Sequence, residues 1–309
     1  MKKIFCLTGL LLALCLCYGS VAASVSASVS ASVSASVSAS AFAPDGRSTD
    51  CSLYLKGGEQ VGEISYEGIS GYRTVGHHGP AVENSHMILR IYTNGNGAVD
   101  VYSKTGLRGR ELRQYLWYPS AQQQASEGAG CDEYYVGKTV GLGGFKLWDG
   151  SAAVKPVPTG RTVARAGKTS SGAWIEVVYE GVEYKGGKVD ISLKAETFEG
   201  RRDARITLRC LSGEKVQFLT GVNFPEGASV ISGRNYLAAW GIHPADVSKN
   251  PIAIGGGMWF RPSDFSAVEN TGSQLQVISR PTRKVVTRVI SASVKEPAFP
   301  DAEAFFKLF

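Results

Sequence analysis

Three of the four histidines in the chain, His77, His78 and His86, fall within ten positions of one another. They lie in Tyr72-Arg73-Thr74-Val75-Gly76-His77-His78-Gly79-Pro80-Ala81-Val82-Glu83-Asn84-Ser85-His86. Glycines on both sides of the histidine pair and a proline after it mark a loop, where functional side chains gather on a rigid scaffold. Imidazole exchanges protons near neutral pH, so paired histidines beside a glutamate suit general acid–base work. Structural hydrogen bonding is a competing reading, and so is a metal held by His77, His78 and Glu83. Adjacent histidines are awkward ligands for one ion and no familiar ligand spacing occurs, so neither metal nor cofactor is expected.

A second loop runs from Glu127 to Gly144 and is rich in glycine. No helix is expected after it, which argues against nucleotide binding. Its glycines suit tight turns, with Asp132, Tyr134 and Lys138 projecting. The fourth histidine, His243 in Trp240-Gly241-Ile242-His243-Pro244, reads alone as a structural residue. Trp117-Tyr118-Pro119 and Trp240 suit either packing or a sugar platform. Gly-x-Ser-x-Gly is absent, so an α/β-hydrolase nucleophile elbow is not supported.

Such residues need elements to position them. His86 to Tyr92 and Ala98 to Lys104 alternate apolar and polar side chains around Asn94-Gly95-Asn96-Gly97. Asn and Gly supply the positive φ a tight turn requires, so the segment predicts a hairpin. Met87, Leu89, Ile91, Val99 and Val101 would share its apolar face. Arg90, Tyr92, Asp100, Tyr102 and Lys104 would share the other. Periodicity favours a solvated polar face; the alternative is the floor of a groove for a charged sugar, with tyrosines to stack and Arg90 to clamp a carboxylate. Further strands are expected at 174–179, 188–197, 204–211, 215–220, 252–260, 274–279 and 285–293. Only 301–309 and 245–249 read as helical. The pattern predicts an all-β fold, a large antiparallel β-sandwich.

Lys2 and Lys3 precede the apolar run Ile4 to Tyr18, and Val21-Ala22-Ala23 offers a cleavage site. Residues 1–23 therefore read as a signal peptide rather than a transmembrane span, directing the chain to periplasm or medium, with a lipoprotein as the less favoured alternative. Residues 24–42 are a Ser/Ala/Val spacer too uniform to build a core. Residues 43–309 form the single β domain. The formal charge is +6, of which Lys2 and Lys3 supply two, leaving a modest +4 with no basic-aromatic cluster for nucleic acid. Cys51, Cys131 and Cys210 remain after cleavage, an odd number that rules out complete pairing.

Gly76 to Asn84, the strand ending Asp100-Val101-Tyr102-Ser103-Lys104, Gly130 to Gly144, and Tyr236 to His243 together resemble the domain-of-unknown-function family 4861. This is a set of secreted proteins of Bacteroidetes-type bacteria, and the resemblance spans nearly all of the mature chain. It implies a galactose-mutarotase-like supersandwich and a partner that is an oligosaccharide or polysaccharide containing uronic acid. It also implies dehydration of a non-reducing-end uronic acid to a 4,5-unsaturated sugar. Set against that chemistry, His77 or His78 would be the base and Tyr134 or Tyr102 the acid. Arg90 and Asn84 would take the carboxylate, with Glu83, Asp132, Lys138 and His243 as further substrate contacts. A non-catalytic carbohydrate-binding module and a mutarotase or epimerase are the competing functions. A glycosidase using Glu83 and Asp132 is a further one, and a purely structural role another. The oligomeric state is left open.

Overall fold

A computed structural model describes residues 47–104, 122–123, 130–246, 248 and 250–309. The expected leader (1–23), the spacer (24–42) and Trp117-Tyr118-Pro119 lie outside these residues, as does the start of the second loop.

Eighteen strands, numbered in chain order, make three antiparallel sheets among the described residues. The first has the order β1 (Asp50–Ser52), β3 (Ala81–Glu83), β4 (Met87–Ile91), β5 (Val99–Ser103). The second, of nine strands, begins β13 (Ser229–Ser232), β14 (Tyr236–Ile242), β15 (Ala253–Trp259), β18 (Lys284–Ser293). It continues β11 (Ala204–Cys210), β10 (Gly187–Phe198), β9 (Gly172–Tyr184), β8 (Arg161–Thr169), β2 (Glu63–Glu67). The third has β16 (Glu269–Asn270), β17 (Gln274–Ile278), β12 (Phe218–Asn223), β6 (Leu142–Trp148), β7 (Ala153–Val154). The large antiparallel β-sandwich expected from alternation is what forms.

Local chemistry explains the joints. Lys185 (φ 50°) and Gly186 (φ 78°) turn β9 into β10, two successive positive φ angles of the kind that suits strand twist. The next hairpin turns at Gly200 (φ 69°). Ile175, Val177 and Tyr179 point into the core while Glu176 and Glu180 face outward, the period of two that a half-buried strand demands. Phe145 of β6 meets Tyr179 and Phe218 at 6.0 Å each, so the five-stranded and nine-stranded sheets share one core. Gly137-Lys138-Thr139 leads into β6, not into a helix.

The sequence expectations shift in three places. The strand expected at 215–220 starts at Phe218, because Val216 and Gln217 are held instead by Thr282 and by the Tyr184 hydroxyl. Ala245, Asp246 and Ser248 are not helical. The helix expected over 301–309 shortens to α1 (Ala302–Phe306), capped by Asp301, whose carboxylate accepts from the Ala304 N–H at 2.9 Å. No helix among the described residues is long and apolar enough to cross a membrane. Cys51, Cys131 and Cys210 are all buried and unbridged.

Candidate functional site

The predicted hairpin forms as β4 and β5, with Arg90 opposite Asp100 and Leu89 opposite Val101. Its apolar face is core, as alternation requires. Its polar face is not solvated: Arg90, Asp100, Tyr102 and Lys104 are all buried. The charges survive burial because they pair. Arg90 bonds Asp100 and the Tyr92 hydroxyl (2.7 Å), and its other nitrogen donates to the carbonyl of His77 at 3.1 Å. The guanidinium carbon lies 4.5 Å from the Tyr92 ring centre and 5.1 Å from that of Tyr102. Asp132 stands 3.4 Å from the same Arg90 nitrogen that holds Asp100. Burial and the charge of Asp100 push the Asp132 carboxyl well above the usual carboxylate range, with Arg90 opposing. Burial likewise raises Asp100, again against Arg90.

Lys104 forms a separate cluster on this face. It donates to Glu83 Oε2 and to the Asn84 carbonyl, both at 2.7 Å. Asn84 uses its side chain on the backbone: Nδ2 donates to Arg202 O, and Oδ1 accepts from the N–H groups of His86 and Met87. Glu83 and Asn84 are therefore structural in geometry. Tyr134 and His243 meet elsewhere, ring centres 4.5 Å apart, with the Tyr134 hydroxyl donating to Asn223 O at 3.1 Å. Burial lowers His243 to about 4, so its ring is neutral in the interior. Lys138 is exposed, and its carbonyl accepts from Lys146 Nζ.

The histidine pair is divided by the backbone. His77 (φ 55°) and His78 (φ 59°) both occupy the left-handed region, rare for residues with a Cβ. Gly79 follows because a Cβ there would lie 1.9 Å from Ile91 O. This turn sends the two rings apart. His77 is buried, its ring 6.0 Å from that of Tyr54, whereas His78 is exposed and stacks on Tyr72 at 4.8 Å and 26°. The triad of His77, His78 and Glu83 is thus not assembled for a metal, since Glu83 faces Lys104. No group of three or more potential ligands of that kind occurs among the described residues. Glu83 and Asp132 likewise face different cations, Lys104 and Arg90.

His78 opens onto a cavity of about 420 Å³ lined by Lys56, Tyr72, Arg73, Val75 and His78. Two backbone segments build its walls. Lys56 N–H donates to Thr74 O at 2.7 Å and Gly76 N–H to Tyr54 O at 2.6 Å, with Leu55 bridging Val75. Burial, then Arg90, then Arg73 lower the His78 imidazole below its ordinary value, so it is an uncharged base at neutral pH. Burial raises the Tyr72 phenol, against Arg90, a hydrogen bond from Asn94 and Arg73, so it keeps its proton. An acid and a base therefore stand ring on ring between two exposed cations. Tyr72 and Arg73 precede the histidine pair in sequence, a proximity that could have marked them. Lys56 carries no such signal.

The family described as Domain of unknown function (DUF4861) matches residues 19–309. No curated protein matches the sequence. Among solved structures, a 4-alpha-glucanotransferase from Thermococcus litoralis aligns with 8% identity and a TM-score of 0.34 over 70% of this chain. The chain spans 39% of that protein's length. A proposed aldose 1-epimerase from Klebsiella pneumoniae subsp. pneumoniae aligns with 10% identity and a TM-score of 0.36, over 81% of this chain and 92% of its own.

Proposed function

Because the chain belongs to the DUF4861 family, whose description assigns no activity, we propose a function from the cleft itself: an exported carbohydrate-active lyase acting on a terminal uronic acid. One observation carries this reading. His78, exposed and uncharged, stacks on the protonated Tyr72 in a cavity that also presents Lys56 and Arg73.

The proton on the carbon beside a carboxylate is weakly acidic until that carboxylate is neutralised. Arg73 and Lys56 are the exposed cations able to do so, since Arg90 already holds Asp100. The His78 imidazole takes the C5 proton. Electron density builds on the carboxylate as an enolate-like species, which the fixed cations stabilise. The C4–O bond then breaks with the Tyr72 proton moving to the departing oxygen. The His78 imidazolium then returns its proton to the Tyr72 phenolate beside it, so the products are water and a 4,5-unsaturated sugar and both groups are restored without a co-reactant. Adjacent acid and base suit loss of both groups from one face of the ring. The cavity falls in the size range typical of small-ligand pockets, about 300–1,000 Å³.

The test is incubation of purified protein with glucuronyl-terminated oligosaccharides, following absorbance of the conjugated double bond and loss of one water by mass spectrometry. Product expected from wild type and absent from His78→Gln supports the reading. Saccharide binding with no product across a broad panel overturns it in favour of a binding module.

A further inference from the structure

We propose that β13 is the edge through which two copies of this chain pair about a two-fold axis, joining their nine-stranded sheets into one. β13 (Ser229–Ser232) is the outermost strand of its sheet, bonded among the described residues to β14 on one side only. Such an edge presents unpaired backbone donors and acceptors, and proteins that stay apart blunt it with charge, proline or a bulge. The opposite edge of this sheet follows that rule: β2 begins on Glu63 and ends on Glu67, both exposed. β13 reads Ser-Val-Ile-Ser and carries none of these devices.

The open groups follow from the pairing with β14. Ser229, Val230, Ile231 and Ser232 stand opposite Trp240, Ala239, Ala238 and Leu237. Just beyond them, Gly233 donates its N–H to Tyr236 O at 3.0 Å. Hydrogen-bonded and non-bonded positions alternate along an antiparallel pair. Ile231 and Ser229 therefore bond to β14, while Val230 and Ser232 turn their N–H and C=O to the open side. A two-fold axis through an antiparallel pair sets one residue opposite itself, and that residue needs its backbone groups on the open side. Val230 meets this condition in the middle of the strand. Centred there, Val230 faces Val230 of the second copy, and Ser232 faces Ala228 on either side.

This register carries charge complementarity with it. The turn before β13 holds Glu226 and the turn after it holds Arg234, each four residues from Val230 and each exposed. Pairing about Val230 brings Glu226 of each copy against Arg234 of the other, once on either side of the axis. Neither side chain has an ion-pair partner among the described residues. Apolar cover is incomplete on both faces of the strand as well. Val230 packs on the edge of the main core and Ile231 on the cluster of Ala238, Trp240 and Phe305, yet both stay half-exposed. A second β13 covers each from the open side. The contact is small, a few backbone hydrogen bonds and two ion pairs, in the class of transient interfaces. The dimer it makes depends on concentration.

Sedimentation velocity of the full chain across a dilution series provides the test. Wild type should pass from one copy to two as concentration rises. Val230→Pro removes the central N–H, which does not bond to β14, so an edge strand can accept it. The dimer dissociation constant should then rise about 10- to 100-fold. Arg234→Glu changes only an exposed turn residue, so the fold is kept. It sets like charges together at both ends of the contact and should raise the dissociation constant at least about 10-fold. Adding Glu226→Arg should restore wild-type association, because the reversed charges match again. A wild type that stays a single copy throughout overturns the proposal. A dimer indifferent to Arg234→Glu overturns it too, as does one that the double reversal fails to restore.

Discussion

The imidazole of His78 and the phenol of Tyr72 lie ring on ring, 4.8 Å between centres and 26° between planes. Each is brought there by a short helical turn, Tyr72–Thr74 and Gly76–His78. If this pair is the acid and base, His78→Gln and Tyr72→Phe should each lower kcat by about 10²–10⁴-fold while saccharide binding by calorimetry persists. Equal loss in His77→Gln, with its fold intact, would contradict the assignment of His78 as the base.

The acid limb of the pH–rate profile should report His78. Burial, Arg90 and Arg73 all disfavour its protonated form, so the uncharged base persists below the ordinary imidazole value. Activity should therefore rise with pH through a midpoint below about 6.5. Arg73→Gln removes one of the two positive charges and should move that limb to higher pH. A limb that stays in place shows that His78 is not the titrating base.

Asp132 makes a prediction about stability. Its carboxyl is raised in the folded protein by burial and by Asp100, so the folded chain keeps a proton that the unfolded chain has already lost. Stability then falls as pH rises from the unfolded carboxylate value, about 3.9, through the folded one. Asp132→Asn should flatten this slope and should be close to neutral below it, measured as urea midpoints against pH. A slope unchanged by the substitution would place the raised carboxyl elsewhere, with Asp100 and Glu133 the next groups raised by burial.

Lys104 and Glu83 form an ion pair with both side chains wholly buried. Lys104→Met leaves a buried carboxylate without its cation and should destabilise by about 3–5 kcal/mol in denaturant unfolding. Adding Glu83→Leu should recover most of that loss. No recovery in the double variant would mean that the lost Lys104 hydrogen bond to the Asn84 carbonyl matters more than the charge pairing.

Much of the fold was legible because strands of this protein alternate cleanly. The β4–β5 hairpin followed from Met87, Leu89, Ile91, Val99 and Val101 around an Asn-Gly turn. The β9–β10 and β10–β11 hairpins followed from Tyr184-Lys185-Gly186-Gly187 and Glu199-Gly200. Strands β8 and β14 were not legible: Arg161–Thr169 and Tyr236–Ile242 carry alanines and glycines whose small side chains give little contrast between faces. Their strand state is imposed by pairing with β9 and β15.

The sequence alone determined that this is an antiparallel β protein with a histidine-bearing loop beside a polar hairpin face. Those are local properties, set by side-chain alternation and by residues that accept positive φ. Only the tertiary structure decided that the polar face of β4 and β5 is buried, where Glu83 from β3 and Asp132 from the second loop join Asp100 in pairing its cations. It alone decided that His77 turns inward and His78 outward. Two adjacent histidines are equivalent as letters. The left-handed turn between Val75 and Gly79, held by Arg90 on one carbonyl and Thr93 on the next, makes them different.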